Sequence, residues 1–293
     1  MNAEFLACHY QIKELWDEEN LSRYEPGGQH QWVSLKILTA DATSRSRELQ
    51  TLRALQEDNS IKHVVRLLDS FVHAGLNGNH QCLVLELLGP SVGYVVSNEY
   101  NEPGERLEVD TILRITKQLL QALASLHKAG YAQGDVSARN IAFTSSCFKD
   151  CSEERLAEIL GPPKTEELRP VDDEPLKDSL PKYIVESTRW EDWLEEDEED
   201  IRLIDWGEAF CRGAEPVKIA QPFGLNAPET VFTPRIDYRM DLWRAGWIPF
   251  LAYGIDGWIG NMIDFNEDLP AEWRPKWEEM KRTTSNGLDE ILG

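Results

Sequence analysis

Two aspartates and an asparagine carry the chemistry of this chain. Asp135 stands five positions before Asn140 in Gln133-Gly134-Asp135-Val136-Ser137-Ala138-Arg139-Asn140, and the apolar run Ile141-Ala142-Phe143 follows. Asp205 closes a second short apolar run, Ile201 to Ile204, and is followed by Trp206-Gly207. Carboxylate and amide oxygens together could hold a hard cation. A lone D-x-x-x-x-N carries little weight, because Asp and Asn are common in turns. Two such loops, each joined to a short strand-like segment, are more specific. Upstream, Lys36 lies in the strand-like segment Gln31 to Leu38, and Glu48 lies on the helical pattern that follows, about Thr43 to Gln56, with Leu49, Leu52 and Leu55 on one face.

Ala227-Pro228-Glu229 is a third ordered mark. With these three marks in sequence, the chain resembles a eukaryotic-type protein kinase. The resemblance implies ATP and Mg2+ as cofactors, with Asp135 as the base facing a substrate hydroxyl and Asn140 and Asp205 as metal ligands. Lys36 would contact the α- and β-phosphates and pair with Glu48. In His80 to Gly89, Leu85 would be the gatekeeper beside the adenine, and the backbones of Glu86 and Leu88 would bond the adenine edge. Asp241, in Asp241-Leu242-Trp243-Arg244-Ala245-Gly246, would support the catalytic loop.

The hinge E-L-L-G, the long insert after the catalytic loop and L-P-A-E-W-R-P-K-W-E-E-M near the C-terminus resemble fungal SR-protein-kinase-like proteins. That resemblance spans roughly Trp32 to Met280 and implies a Ser/Thr protein kinase acting on a protein substrate, with an Arg/Ser-rich one fitting best. Several positions depart from the family pattern. No G-x-G-x-x-G precedes Lys36, and Gly27-Gly28 reads as a hairpin turn. The His-Arg-Asp of the family is Gln133-Gly134-Asp135, and its lysine two positions after the aspartate is Ser137. Trp206 replaces a phenylalanine. No Ser or Thr lies between Asp205 and Ala227. These losses keep a pseudokinase or scaffold open as the alternative. A small-molecule kinase of aminoglycoside-phosphotransferase type is disfavoured by Ala227-Pro228-Glu229.

The elements around these residues suggest a small α+β lobe followed by a helical part, and the resemblance implies an α+β, two-lobed kinase-like fold. Residues 1–88 form a β-rich N-lobe, and residues 89–293 form a mainly helical C-lobe with a polar and acidic insert at about 145–200. In the first part, Tyr10 to Trp16 reads as a strand, as do Val64 to Val72 and Cys82 to Leu87, with a Gly75–Asn79 turn between the last two. Asp110 is placed to cap a long helix ending at Gly130, with Ile112, Ile115, Leu119, Leu123 and Leu126 on one stripe. Glu154 to Leu160 reads as a short helix. Glu191 to Asp200 holds eight acidic residues in ten positions.

The formal net charge of −22 argues against nucleic acid as a partner and permits a basic peptide. Five scattered cysteines imply no disulfide framework, which fits a cytoplasmic or nuclear setting. The N-terminus lacks the basic and apolar regions of a signal peptide. Ala245 to Ile263 approaches membrane length, but Pro249, Asp256 and four glycines favour a buried core segment, so no membrane partner is expected. A monomer is the simplest expectation.

Overall fold

The computed structural model describes residues 32–98, 107–148, 151–161, 164–169, 183–190, 199–219, 227, 230, 235–247, 271, 273–276 and 278–279. The strand expected at Tyr10 to Trp16, the Gly27-Gly28 turn, Pro228-Glu229, most of the acidic run and most of the apolar stretch after Ala245 lie outside the described residues. By internal packing the chain divides into two compact units, residues 1–125 with 138–207, and residues 126–137 with 208–293. This division does not fall at residue 88. Most of the long helix and the strand pair after the catalytic-loop motif pack within the first unit.

In the first unit, strands β1 (Val33–Ile37), β2 (Leu67–Gly75) and β3 (Gly78–Glu86) form an antiparallel sheet in the order β1-β3-β2. The register pairs Leu35 with Val84 and Lys36 with Leu83. Side chains alternate along a strand, so directly opposed residues share a face. One face gathers Leu35, Cys82 and Val84, with Val33, Ile37, Leu68 and Phe71 against them. The other carries Lys36, Leu83 and Leu85. Central β3 is buried from Cys82 to Glu86, as a strand with neighbours on both sides should be.

The single helix expected over Thr43 to Gln56 is two helices, α1 (Ala40–Thr43) and α2 (Glu48–Glu57). The break falls in Ser44-Arg45-Ser46-Arg47, where serine hydroxyls take over backbone groups. Ser44 Oγ donates to the Asp41 carbonyl at 2.9 Å, and Ser46 Oγ accepts the Glu48 N–H at 3.2 Å. Such local bonds compete with helix continuation. Helix α2 buries Glu48, Thr51, Leu52 and Leu55 on one face, while Leu49 is only half-buried.

Helix α3 (Val92–Asn98) precedes α4 (Val109–Lys128). Asp110 lies inside the first turn of α4 rather than capping it, and the Ile112 N–H bonds the Glu108 carbonyl at 3.0 Å. Its carboxylate still complements the positive end of the helix dipole. Ile115, Leu119, Leu123 and Leu126 are buried as expected, whereas Ile112 is 36% exposed. Thr111, one residue earlier, is buried, so Ile112 lies at the edge of the packed stripe rather than before it. Strands β5 (Ile141–Phe143) and β8 (Ile201–Leu203) pair antiparallel, with Ile141 opposite Leu203. Within the insert, α5 (Glu153–Leu160) is capped by Ser152, whose hydroxyl accepts the Arg155 N–H. A hairpin not expected from the residue pattern is formed there by β6 (Thr165–Glu167) and β7 (Tyr183–Val185), all of whose residues are exposed.

In the second unit, β4 (Tyr131–Ala132) pairs with β9 (Phe210–Cys211), and α6 (Arg239–Trp247) follows. Ala132, Phe210, Ile219, Ala227 and Met240 form its described core, with Ile236, Tyr238 and Trp243 against it. The described elements are thus a mixed α+β set, as expected. No described helix is long and apolar enough to cross a membrane.

Candidate functional site

The first unit brings Lys36, Glu48 and Asp205 together. Strand alternation turns Lys36 away from the apolar face of the sheet, and the side chain is 1% exposed. Its Nζ lies 2.8 Å from Glu48 Oε1 and 2.8 Å from Asp205 Oδ1. Burial opposes the ammonium charge, but the two carboxylates more than offset it, so the Lys36 pKa is raised above its ordinary value of 10.5. Glu48 sits in the first turn of α2, where the helix dipole favours a carboxylate. Its Oε1 also accepts the Trp206 N–H at 3.1 Å, which ties the helix to the loop after β8.

Asp205 has φ +55°, in the left-handed region. Only Asn, Asp and Gly visit that region readily, and such outliers concentrate at functional sites. The β5–β8 pairing brings Asn140 to the same end of the strand pair as Asp205. Asn140 ends the 3-10 turn Ala138–Asn140 just before β5, and its carbonyl accepts the Ile204 N–H at 3.0 Å. Two oxygen-bearing side chains at one strand end, beside a buried ammonium, fit a magnesium ion shared with phosphate oxygens. Among the described residues no group of three or more His, Cys, Asp or Glu could hold a metal ion without such help.

Leu85 is buried on the Lys36 face of the sheet, opposite Ser34. Glu86 points to the other face. Its carboxylate accepts the Arg66 backbone N–H at 2.8 Å and Arg66 Nε at 3.2 Å, and its own N–H is donated to the Arg66 carbonyl at 3.0 Å. That donor is therefore already used. Leu88 is half-buried just past the end of β3.

The second unit holds Asp135. Helix α6 organises its loop: the Asp241 carboxylate accepts the N–H groups of Gln133 and Gly134, both at 2.9 Å, and contacts His127 Nε2 at 3.0 Å. The support expected of Asp241 is thus made through backbone bonds. Gln133 Oε1 accepts the Asp135 N–H at 2.6 Å. Gly134 has φ +81°, and a Cβ there would lie 2.4 Å from the Glu208 carbonyl oxygen, so glycine is required on both counts. Arg244 was not singled out from the sequence. It is completely buried, and its Nη1 lies 2.7 Å from Asp135 Oδ1. Its place three residues after Asp241 on a helix was the only available signal.

No protein-family model matches the chain. The protein kinase dsk1 of Schizosaccharomyces pombe is 32% identical over 117 residues, which are 37% of this chain and 21% of that protein. The probable serine/threonine-protein kinase sky1 of Dictyostelium discoideum is 31% identical over 119 residues, 39% of this chain and 18% of that protein. Serine/threonine-protein kinase spk-1 of Caenorhabditis elegans is 29% identical over 124 residues, 39% of this chain and 12% of that protein. A crystal structure of a kinase domain aligns at 22% identity with a TM-score of 0.48, covering 74% of this chain and 55% of that one. The matched segments relate the chain to the protein kinase superfamily. Within it, the relationship is to serine/threonine kinases of the SR-protein-kinase-like type. The chain matches about a fifth or less of the length of these three relatives.

Proposed function

We propose that the chain is an ATP- and magnesium-dependent Ser/Thr protein kinase of SR-protein-kinase-like type, with residues 1–88 as its N-lobe and 89–293 as its C-lobe. The observation that carries this reading is the buried ammonium of Lys36 held at 2.8 Å by both Glu48 and Asp205. Structural cores rarely bury an ammonium and a carboxylate together, as Lys36 and Glu48 are here, because desolvation is expensive. A site for polyphosphate needs a fixed cation beside a metal-binding carboxylate.

In this reading Lys36 binds the α- and β-phosphates, and Glu48 holds it in place. Leu85 borders the adenine, with the Glu86 carbonyl and the Leu88 backbone at its edge. Asn140 and Asp205 hold magnesium, which when bound neutralises phosphate charge. Asp135 orients the substrate hydroxyl and accepts its proton. The net charge of −22 supports a basic, Arg/Ser-rich protein substrate. The free cysteines Cys82, Cys147, Cys151 and Cys211 support a reducing compartment, cytoplasm or nucleus.

The test is γ-phosphate transfer from labelled ATP with magnesium to an Arg-Ser repeat peptide, with Asp135→Asn run beside the wild type. Transfer that disappears in the variant supports the reading. Equal transfer in both removes Asp135 as the base. No transfer, with ATP still raising the melting temperature, turns the assignment to a nucleotide-binding pseudokinase.

A further inference from the structure

We propose that Arg244 is the positioning residue for Asp135: a helix-borne guanidinium that fixes the carboxylate from below the loop. The inference rests on the reading of Asp135 as the base.

Helix α6 holds three consecutive loop residues. Asp241 accepts the backbone N–H groups of Gln133 and Gly134, and Arg244, three residues on and on the same helical face, engages the side chain of Asp135. One helix therefore sets both the path of the loop and the direction of its acid. The loop cannot supply a cation of its own at position 134, since the Glu208 carbonyl occupies the space any side chain there would need. The cation comes from the helix instead.

The burial of Arg244 shows that this contact is not incidental. The side chain is 0% exposed, and its Nε and Nη2 have no hydrogen-bond partner among the described residues. A buried guanidinium left with two unsatisfied nitrogens is unfavourable unless its remaining contact carries weight. Replacing it with an apolar side chain would cost little if packing were its only task. Among the described contacts, Asp241 from α6 and His127 from α4 also reach this loop, and these are engaged with each other and with loop N–H groups. Arg244 is the charged side chain that the described contacts place on the Asp135 carboxylate.

The experiment uses the full chain in two measurements. Urea unfolding of wild type, Asp135→Asn, Arg244→Met and the double variant forms a cycle that reads the pair without activity. The coupling between the two changes is expected to reach about tenfold or more in the unfolding constant. Kinetics on the Arg-Ser peptide then compare Arg244→Met with Arg244→Lys. The methionine variant should lose about tenfold or more in kcat with the KM for ATP within about twofold of wild type, and lysine should recover part of the loss. Single changes that multiply to the double within about twofold would overturn the proposal. So would a fall in kcat that lysine does not relieve at all. If Arg244→Met does not fold, Arg244→Gln takes its place in both measurements. A wild type that transfers no phosphate refutes the kinase reading itself, while a coupled cycle still upholds the clamp on Asp135.

Discussion

Replacing Lys36 with methionine removes the charge and keeps most of the volume of the side chain. Coulomb's law at an effective dielectric constant near 20 gives roughly 6 kcal/mol for a contact of the length seen here. Most of that is cancelled by the cost of taking the ammonium out of water. Asp205, 30% exposed, is also partly screened by solvent, whereas Glu48 is 2% exposed and is not. The net worth of the cluster is therefore small, but the cost of breaking it is not. Without Lys36, Glu48 keeps only the Trp206 N–H among its described partners. An uncompensated buried carboxylate of this kind costs about 3–5 kcal/mol. Removing it as well, in Lys36→Met/Glu48→Leu, should restore about 2 kcal/mol or more. Urea unfolding of the four proteins at neutral pH, followed by tryptophan fluorescence, reads both numbers. The reasoning is refuted if Lys36→Met unfolds within about 1 kcal/mol of wild type at an unchanged m-value, or if the double variant is no more stable than the single.

The pH dependence follows from the same cluster. A raised lysine pKa means that its stabilisation is fully present below the unfolded value of 10.5 and is lost as pH rises through the higher folded value. Wild type should therefore show an alkaline loss of stability above about pH 10.5, and Lys36→Met should lack that component in thermal melts from pH 7 to 11.5. Gly134→Ala meets both a positive φ and the Glu208 carbonyl, so it should cost more than about 1 kcal/mol in urea unfolding; a neutral effect would show that the loop path is wrong. Asp241→Ala strips two buried backbone N–H groups and His127 of their acceptor, and should destabilise by about 3 kcal/mol or more. Asp241→Asn should lose less, since its amide oxygen can still accept.

Residue types and their order in the sequence pointed to the candidate chemistry before any contact was known. Asp135 and Asn140 stood out by their spacing just before an apolar run, Asp205 because it closes another, and Lys36 because its strand alternates in part. The strands β1 to β3 and the long helix α4 were legible for the same reason: period-two and period-3.6 patterns are local properties of the chain. Where the sequence misled, a local competitor decided the outcome. The serines at 44 and 46 divided the helix before Glu48, and Ile112 fits the helical period yet lies at the edge of the buried stripe, where Thr111 takes the inward place. The β6–β7 hairpin had no apolar alternation to announce it, because both of its faces are exposed.

Tertiary structure alone decided the partners. Nothing in the spacing of 12 residues between Lys36 and Glu48, or 169 between Lys36 and Asp205, requires contact. Sheet register and the packing of α2 bring them to 2.8 Å. The sequence also left Arg244 as an ordinary helical arginine. Its burial beneath Asp135, 109 residues earlier in the chain, depends on where α6 docks. Charges so far apart in sequence meet only once the chain has folded, because long-range electrostatic contacts are set by packing rather than by local propensity.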